Sequence, residues 1–308
     1  MTPPRASRVD GPKTGLFDGF SAHQQGAVEE LERLRLRAPC RVANASRNAG
    51  AERGRRRRWR PARDALWNFV GPLIEDGARV AIVGAGNGDD LPLRRIARRA
   101  GSVTLIDLDP QAARGARQRV GRAERAKVDV IGHDVTEGAA DEIVLAALGD
   151  DATSAAAHRL PLPDAPYDLV IGDLFYSQLL YPALVDLEVD PDRRADTLRR
   201  HAPALTRAVV ARLHASALHV VHVHDPIAWW DGHEQPVALE EILAVAGPDP
   251  EAALALAARG AGPHESDPRA ALADLGLSPT ATALWRWPFA PGVDYLACAT
   301  LVARTAAP

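Results

Sequence analysis

The chain has 308 residues, with 37 basic and 40 acidic side chains and a formal charge of −3. That balance supplies no general attraction to nucleic acid or to an anionic membrane. With 46% hydrophobic and 25% charged residues, collagen-like, coiled-coil and wholly disordered readings are excluded.

Two cysteines, Cys40 and Cys298, cannot form a disulfide framework or a four-thiolate zinc site, and they fit a reducing, cytoplasmic setting. Met1 to Lys13 lacks the apolar run of a signal peptide. The longest apolar stretch, Ala204 to Val223, is broken by Arg207, Arg212 and His214, so no membrane span of about 20 apolar residues is expected.

In chain order, residues 1 to 20 are aperiodic and read as a loose arm. Ala27 to Leu36 places Val28, Leu31 and Leu34 on one face and predicts an amphipathic helix. Cys40 to Gly54 looks irregular. The basic run Arg55 to Arg58 precedes Trp59 to Ile74, which has helical spacing. The N-terminal arm and helix are expected to occupy residues 1–58 and the main domain 59–308.

From Arg79 short β-branched runs alternate with helix-capable segments, the pattern of a parallel sheet with crossover helices. Strands are predicted at Val80 to Val83, Val103 to Ile106, Lys127 to Ile131, Leu169 to Ile171, Leu218 to Val223, Ala283 to Trp287 and Tyr295 to Val302. The last two are joined only by Pro288 to Asp294, too short for a crossover, so they form an antiparallel hairpin. An Ala-rich stretch at about 236–277 predicts two or three inserted helices. The expected fold is α/β, a seven-stranded, mostly parallel Rossmann-like sheet ending in that hairpin.

The first strand runs into Gly84-Ala85-Gly86-Asn87-Gly88-Asp89-Asp90, with a helix beginning at Leu91. A strand, a glycine turn and a helix start form a cradle for a nucleotide. The dinucleotide pattern G-x-G-x-x-G would need glycine where Asp89 stands. The carboxylates Asp89 and Asp90 also suit a cationic ligand better than a pyrophosphate.

These residues resemble the class I S-adenosylmethionine-dependent methyltransferases, whose first motif is a hydrophobic run followed by G-x-G-x-G. Val80-Ala81-Ile82-Val83-Gly84-Ala85-Gly86-Asn87-Gly88 matches it, and the resemblance extends over roughly residues 60 to 304. It implies S-adenosylmethionine as cofactor, held at Gly84, Gly86 and Gly88. It implies further that Asp107, with Leu108, takes the ribose hydroxyls, that Asp134 with Val135 meets the adenine, and that Asp173 lies at the methionine end. Asp109 reads as a helix cap. The terminal hairpin is also a mark of this fold.

The acceptor should lie beyond the carboxyl ends of the strands. Asp173-Leu174-Phe175-Tyr176 lacks the two prolines of the family members that methylate nucleobase amines. His224, His222 and Tyr176 are the candidate catalytic side chains, with Asp225 or Asp173 orienting a histidine. Trp229 and Trp230 with Phe175 and Tyr176 are candidates for an aromatic box around a flat substrate.

The expected function is transfer of a methyl group to a small molecule, plausible acceptors being aromatic or indole natural products methylated at carbon, nitrogen or oxygen. The alternatives are an aminopropyltransferase-like enzyme and a non-catalytic S-adenosylmethionine-binding or RNA-interacting protein. A metal at His222, His224 and His233 is not expected, nor is a nucleic-acid or membrane partner. A homodimer is compatible with the N-terminal helices.

Overall fold

The computed structural model describes residues 37–50, 54–149, 160–233, 235–260 and 265–303. By its contacts the chain divides into Met1–Ala38 and Pro39–Pro308. Only Arg37 and Ala38 of the first unit are described, so the expected arm and the helix at Ala27 to Leu36 lie outside the described residues. The second unit begins at Pro39, ahead of the boundary expected at residue 59.

Seven strands form one sheet: β1 (Arg79–Val83), β2 (Ser102–Asp107), β3 (Val128–Gly132), β4 (Tyr167–Asp173), β5 (Ala217–Trp230), β6 (Ala281–Ala290) and β7 (Val293–Ala303). Their order is β3-β2-β1-β4-β5-β7-β6. The first five are parallel, and β7 runs antiparallel to both β5 and β6. The chain winds outward from β1 to β3 and then returns to place β4 on the other side of β1. That reversal opens a crevice beyond the carboxyl ends of β1 and β4.

β1 shows why continuous apolar runs became strands here. Ala81 and Val83 pack into one face of the core, Val80 and Ile82 into the other. A strand covered by helices on both sides must be apolar at successive positions. A smaller apolar cluster lies under the inserted helices, around Ile227, Leu239, Ile242 and Leu296.

The helices are α1 (Pro39–Ala49), α2 (Arg55–Arg58), α3 (Arg60–Val70), α4 (Leu93–Arg99), α5 (Pro110–Gln118), α6 (Arg122–Arg125), α7 (Ala139–Ala146), α8 (Tyr181–Asp186) and α9 (Pro191–Ser216). Three more, α10 (Leu239–Ala246), α11 (Pro250–Ala257) and α12 (Pro268–Asp274), occupy the predicted insertion.

Four readings need correction. The segment from Cys40 is not irregular; it forms α1, held by tertiary bonds described below. The helix expected over Trp59 to Ile74 is α3, which ends at Val70 and passes into a 3-10 turn at Gly71–Leu73, and the basic run before it forms the separate short helix α2. The helix after the glycine turn starts at Leu93, because Pro92 takes the position before it. Finally, β5 continues past Val223 to Trp230, through a shift of register between His224 and Ile227. Pro226 sits in that bulge, where a missing N–H breaks no regular ladder.

Candidate functional site

One cavity of about 900 Å3 opens at the crevice. It runs from the glycine turn to the β6–β7 hairpin and takes walls from α1, β1, β2, β4 and β5.

The tip of β2 carries the best-defined polar group. Asp107 is 4% exposed and its carboxylate is held by three donors. Oδ1 accepts from Asp109 N at 2.7 Å and from Asn44 Nδ2 at 3.1 Å, and Oδ2 accepts from Gly86 N at 2.7 Å. Burial raises its pKa, and the hydrogen bonds to Asp109 and Gly86 oppose that shift. Asp107 lines the cavity, and its Oδ2 accepts only the one bond from Gly86, which leaves it a further acceptor position. Gly86 therefore serves the site through Asp107, its N–H orienting the carboxylate.

Gly84 has φ +79°, and a Cβ there would lie 2.8 Å from the Asp173 carbonyl oxygen and from Phe175 Cβ. Its bare Cα lets the ends of β1 and β4 approach. Gly88 is not among the cavity-lining residues; a Cβ on it would meet Ala116 Cβ at 3.0 Å, so it packs the turn against α5. Leu108 and Val135 both line the cavity, half-buried. Asp134 lines it too, but its carboxylate is engaged locally, accepting from Thr136 N and Oγ1 and from Gly138 N at 2.7–2.8 Å. Asp109 caps α5, accepting from Gln111 N and Ala112 N.

Asp173 ends β4 with its side chain on the cavity and 2% of its surface exposed. Neither carboxylate oxygen has a hydrogen-bond partner. Burial, with the charge of Asp90 added, pushes its pKa well above the carboxylate range. Asp90 rises to about 6 for the same leading reason. Asp89 turns away to Arg55 at 2.7 Å and Arg119 at 3.2 Å.

Of the proposed catalytic side chains, Tyr176 and His222 meet each other, but neither they nor His224 line the cavity. Tyr176 Oη lies 2.5 Å from His222 Nδ1, and His222 Nε2 lies 3.0 Å from His214 Nε2. Burial, reinforced by His214 and His224, lowers the pKa of His222, so its ring is neutral. A neutral ring accepting from Tyr176 at Nδ1 donates from Nε2 to His214. His224 is 3% exposed, with Nε2 3.4 Å from Asp267 at the start of α12. These groups form a polar seam between sheet and helices, behind the wall.

The aromatic wall is also not the expected one. Trp229 is tied through Nε1 to Val237 O at 3.2 Å, and Trp230 stacks on His233 at 3.8 Å. Tyr176 stacks on Phe175 in the core at 4.2 Å. The aromatics facing the cavity are Phe175, Tyr181 and a cluster made by Trp59, Trp287, Phe289 and Tyr295. In that cluster Trp287 lies 4.9 Å from Trp59 and 5.1 Å from Phe289, centroid to centroid.

Sequence reasoning missed the helix that closes the site. From α1, Asn44 reaches Asp107 and Asn48 Nδ2 reaches Asp109 Oδ2 at 3.1 Å, while Asn87 Nδ2 returns to Asn48 O at 2.8 Å. The i,i+4 spacing of the two asparagines was the available signal. Asp225, expected only to orient a histidine, instead lines the cavity beside Ser177, whose Oγ donates to it at 3.1 Å. Its pKa rises to about 7, chiefly through burial.

The basic run is partly structural. Arg55 pairs with Asp89 and lies 4.6 Å over Trp59, and Arg58 donates to the carbonyls of Pro288 and Phe289. Among the described residues, no three His, Cys, Asp or Glu side chains are grouped to hold a metal ion, and no helix is long and apolar enough to cross a membrane.

No family model and no curated protein matches the chain. Among solved structures it is similar to magnesium protoporphyrin IX methyltransferase from Synechocystis PCC 6803, at 15% identity over 90% of this chain and 100% of that one, with a TM-score of 0.43. It is similar to the N-methyltransferase NodS from Bradyrhizobium japonicum WM9, at 12% identity over 80% and 86%, TM-score 0.40. A SAM-dependent methyltransferase from Aquifex aeolicus is 13% identical over 92% and 98%, TM-score 0.35. Likenesses this remote do not bear on function. The sheet order and terminal hairpin are those of the seven-stranded, mostly parallel α/β sheet that the sequence led one to expect.

Proposed function

We propose that the protein is an S-adenosylmethionine-dependent methyltransferase acting on a small molecule. The observation that carries this reading is the Asp107 carboxylate, fixed by Gly86 N and Asp109 N at the tip of β2 and open to the cavity. A carboxylate so placed accepts hydrogen bonds from the two hydroxyls of a sugar diol. Leu108 and Val135 offer apolar contact to a flat base, and the partnerless Asp173 offers acceptor oxygens to an ammonium. Those three demands are the ones a nucleoside carrying an amino-acid tail makes.

When bound, S-adenosylmethionine supplies an electrophilic methyl carbon on a sulfonium. The chain's contribution is then to orient the acceptor, exclude water and manage any proton. On this reading Gly84 and Gly86 shape the turn, and Gly88 supports it from behind. Asp134 holds its loop in shape beside the base. Tyr176, His222 and His224 fix the positions of Phe175 and of the β5 bulge. The aromatic hairpin favours an acceptor with an aromatic or other apolar portion, as an indole natural product has. Arg55 and Arg58, two of the four arginines of the basic run, are engaged within the fold and so are not offered to an RNA acceptor.

Incubation with a methyl-labelled donor and a metabolite panel tests the proposal. Label entering a small molecule supports it, and label entering only RNA, or nothing, counts against it.

A further inference from the structure

Seven of the cavity-lining residues are carboxylates and three are arginines, an excess that a cofactor with one net positive charge does not neutralise. Asp89 is balanced by Arg55 and Arg119, and Asp107 and Asp134 are held by amide or hydroxyl donors. Among the described residues, no arginine or lysine hydrogen-bonds to Asp90, Asp173 or Asp225. Asp173 is the extreme case, 2% exposed with two partnerless oxygens. Buried carboxylates are paired as a rule, so a partner for Asp173 has to arrive with a ligand.

The placement of Asp173 and Asp225 defines where. Asp173 pairs with Val223 across the β4–β5 ladder, and Asp225 leaves β5 two residues further along, in the bulge between His224 and Ile227. Ser177 Oγ contacts both oxygens of Asp225, at 3.1 and 3.4 Å. The hairpin wall of Trp287, Phe289 and Tyr295 borders the same cavity, and the buried Nε1 of Trp287 has no partner. An acid-lined end beside aromatic rings is the chemistry that receives an organic cation.

We propose that the acceptor is an amine, received as its ammonium form between Asp173 and Asp225, with its hydrocarbon portion against Trp287, Phe289 and Tyr295. The word acceptor rests on the methyltransferase reading, whereas the binding of an amine does not. Before the nitrogen can act as a nucleophile, one N–H bond must break. Its electron pair stays on nitrogen as the lone pair, and the proton forms an O–H bond on Asp225. A carboxylate held near 7 by burial is suited to take it. An alcohol or a carbon acceptor would leave the two carboxylates as they are now.

The test is calorimetry on the full chain saturated with S-adenosylhomocysteine, using matched pairs: tryptamine and tryptophol, phenethylamine and 2-phenylethanol, 1,4-diaminobutane and 1,4-butanediol. At least one amine should bind about tenfold more tightly than its alcohol. Asp225→Asn should remove most of that preference while the S-adenosylhomocysteine isotherm is retained; if that variant does not fold, Asp225→Ser carries the same comparison. No preference in any pair, or a preference that survives substitution, overturns the proposal. If S-adenosylhomocysteine itself does not bind, the cofactor reading falls, and the same pairs titrated into the free protein still decide the amine claim.

Discussion

The carbonyl oxygen of Asp173 stands 2.8 Å from the point where a Cβ on Gly84 would lie. Gly84 is thus fixed by the approach of β4 to β1 as well as by its φ of +79°. Gly84→Ala combines a left-handed conformation with a backbone clash and should cost about 3 to 4 kcal/mol. Gly86→Ala, at φ +44° and 3.3 Å from the Asn48 side chain, should cost about 1 kcal/mol. Urea unfolding of both variants checks the ranking, and equal losses would contradict it.

Removing the Tyr176 hydroxyl leaves His222 Nδ1 buried without its donor. Tyr176→Phe should therefore lower stability by about 1 to 3 kcal/mol, with S-adenosylhomocysteine affinity unchanged. Full stability with lost turnover would instead make Tyr176 a group that touches the acceptor.

Asn44 occupies one acceptor position of Asp107 and competes with a ligand for it. Asn44→Ala should change S-adenosylhomocysteine affinity by no more than about tenfold, the worth of one neutral hydrogen bond. A loss as large as that of Asp107→Ala would show that Asn44 holds the ligand itself.

The strands were readable because β1, β2 and β4 are buried on both faces, which leaves a continuous apolar run between Gly, Asp and Asn punctuation. Asp107 and Asp173 were readable for the same reason: each is the first charge after such a run. Helix α1 was not, since Pro39–Ala49 buries only Pro39, Cys40 and Ala43. It is held by long-range bonds, Cys40 N to Asp141 at 2.9 Å and Arg47 to Asp186 at 2.8 Å among them, and no local pattern encodes these. The role of Asp225 was hidden by the Asp225-Pro226 pair, which reads as a strand end and is instead a bulge. The place of the histidines behind the cavity wall was not legible, because alternation along β5 does not say whether a face looks onto a cavity or onto α9.

Asp225 also gives stability a pH dependence of known sign. Its folded pKa of about 7 lies above the unfolded value of about 3.9. Between those values the folded state binds more protons than the unfolded one, so stability falls as pH rises from about 4 to about 7 and is level beyond. Asp90 and Asp173 act in the same direction. Asp225→Asn should make the fall shallower, by at most about 1.4 kcal/mol per pH unit. Unfolding free energies at pH 5, 6 and 7 check this, and an unchanged slope would contradict it.

The most direct measurement is a calorimetric titration of S-adenosylhomocysteine into the native chain and into Asp107→Ala, both first shown to be folded. One-to-one binding by the native chain, weakened about 100-fold or more in the variant through loss of two charge-assisted hydrogen bonds, is the result expected. Equal binding by the two proteins, or none by either, would contradict it.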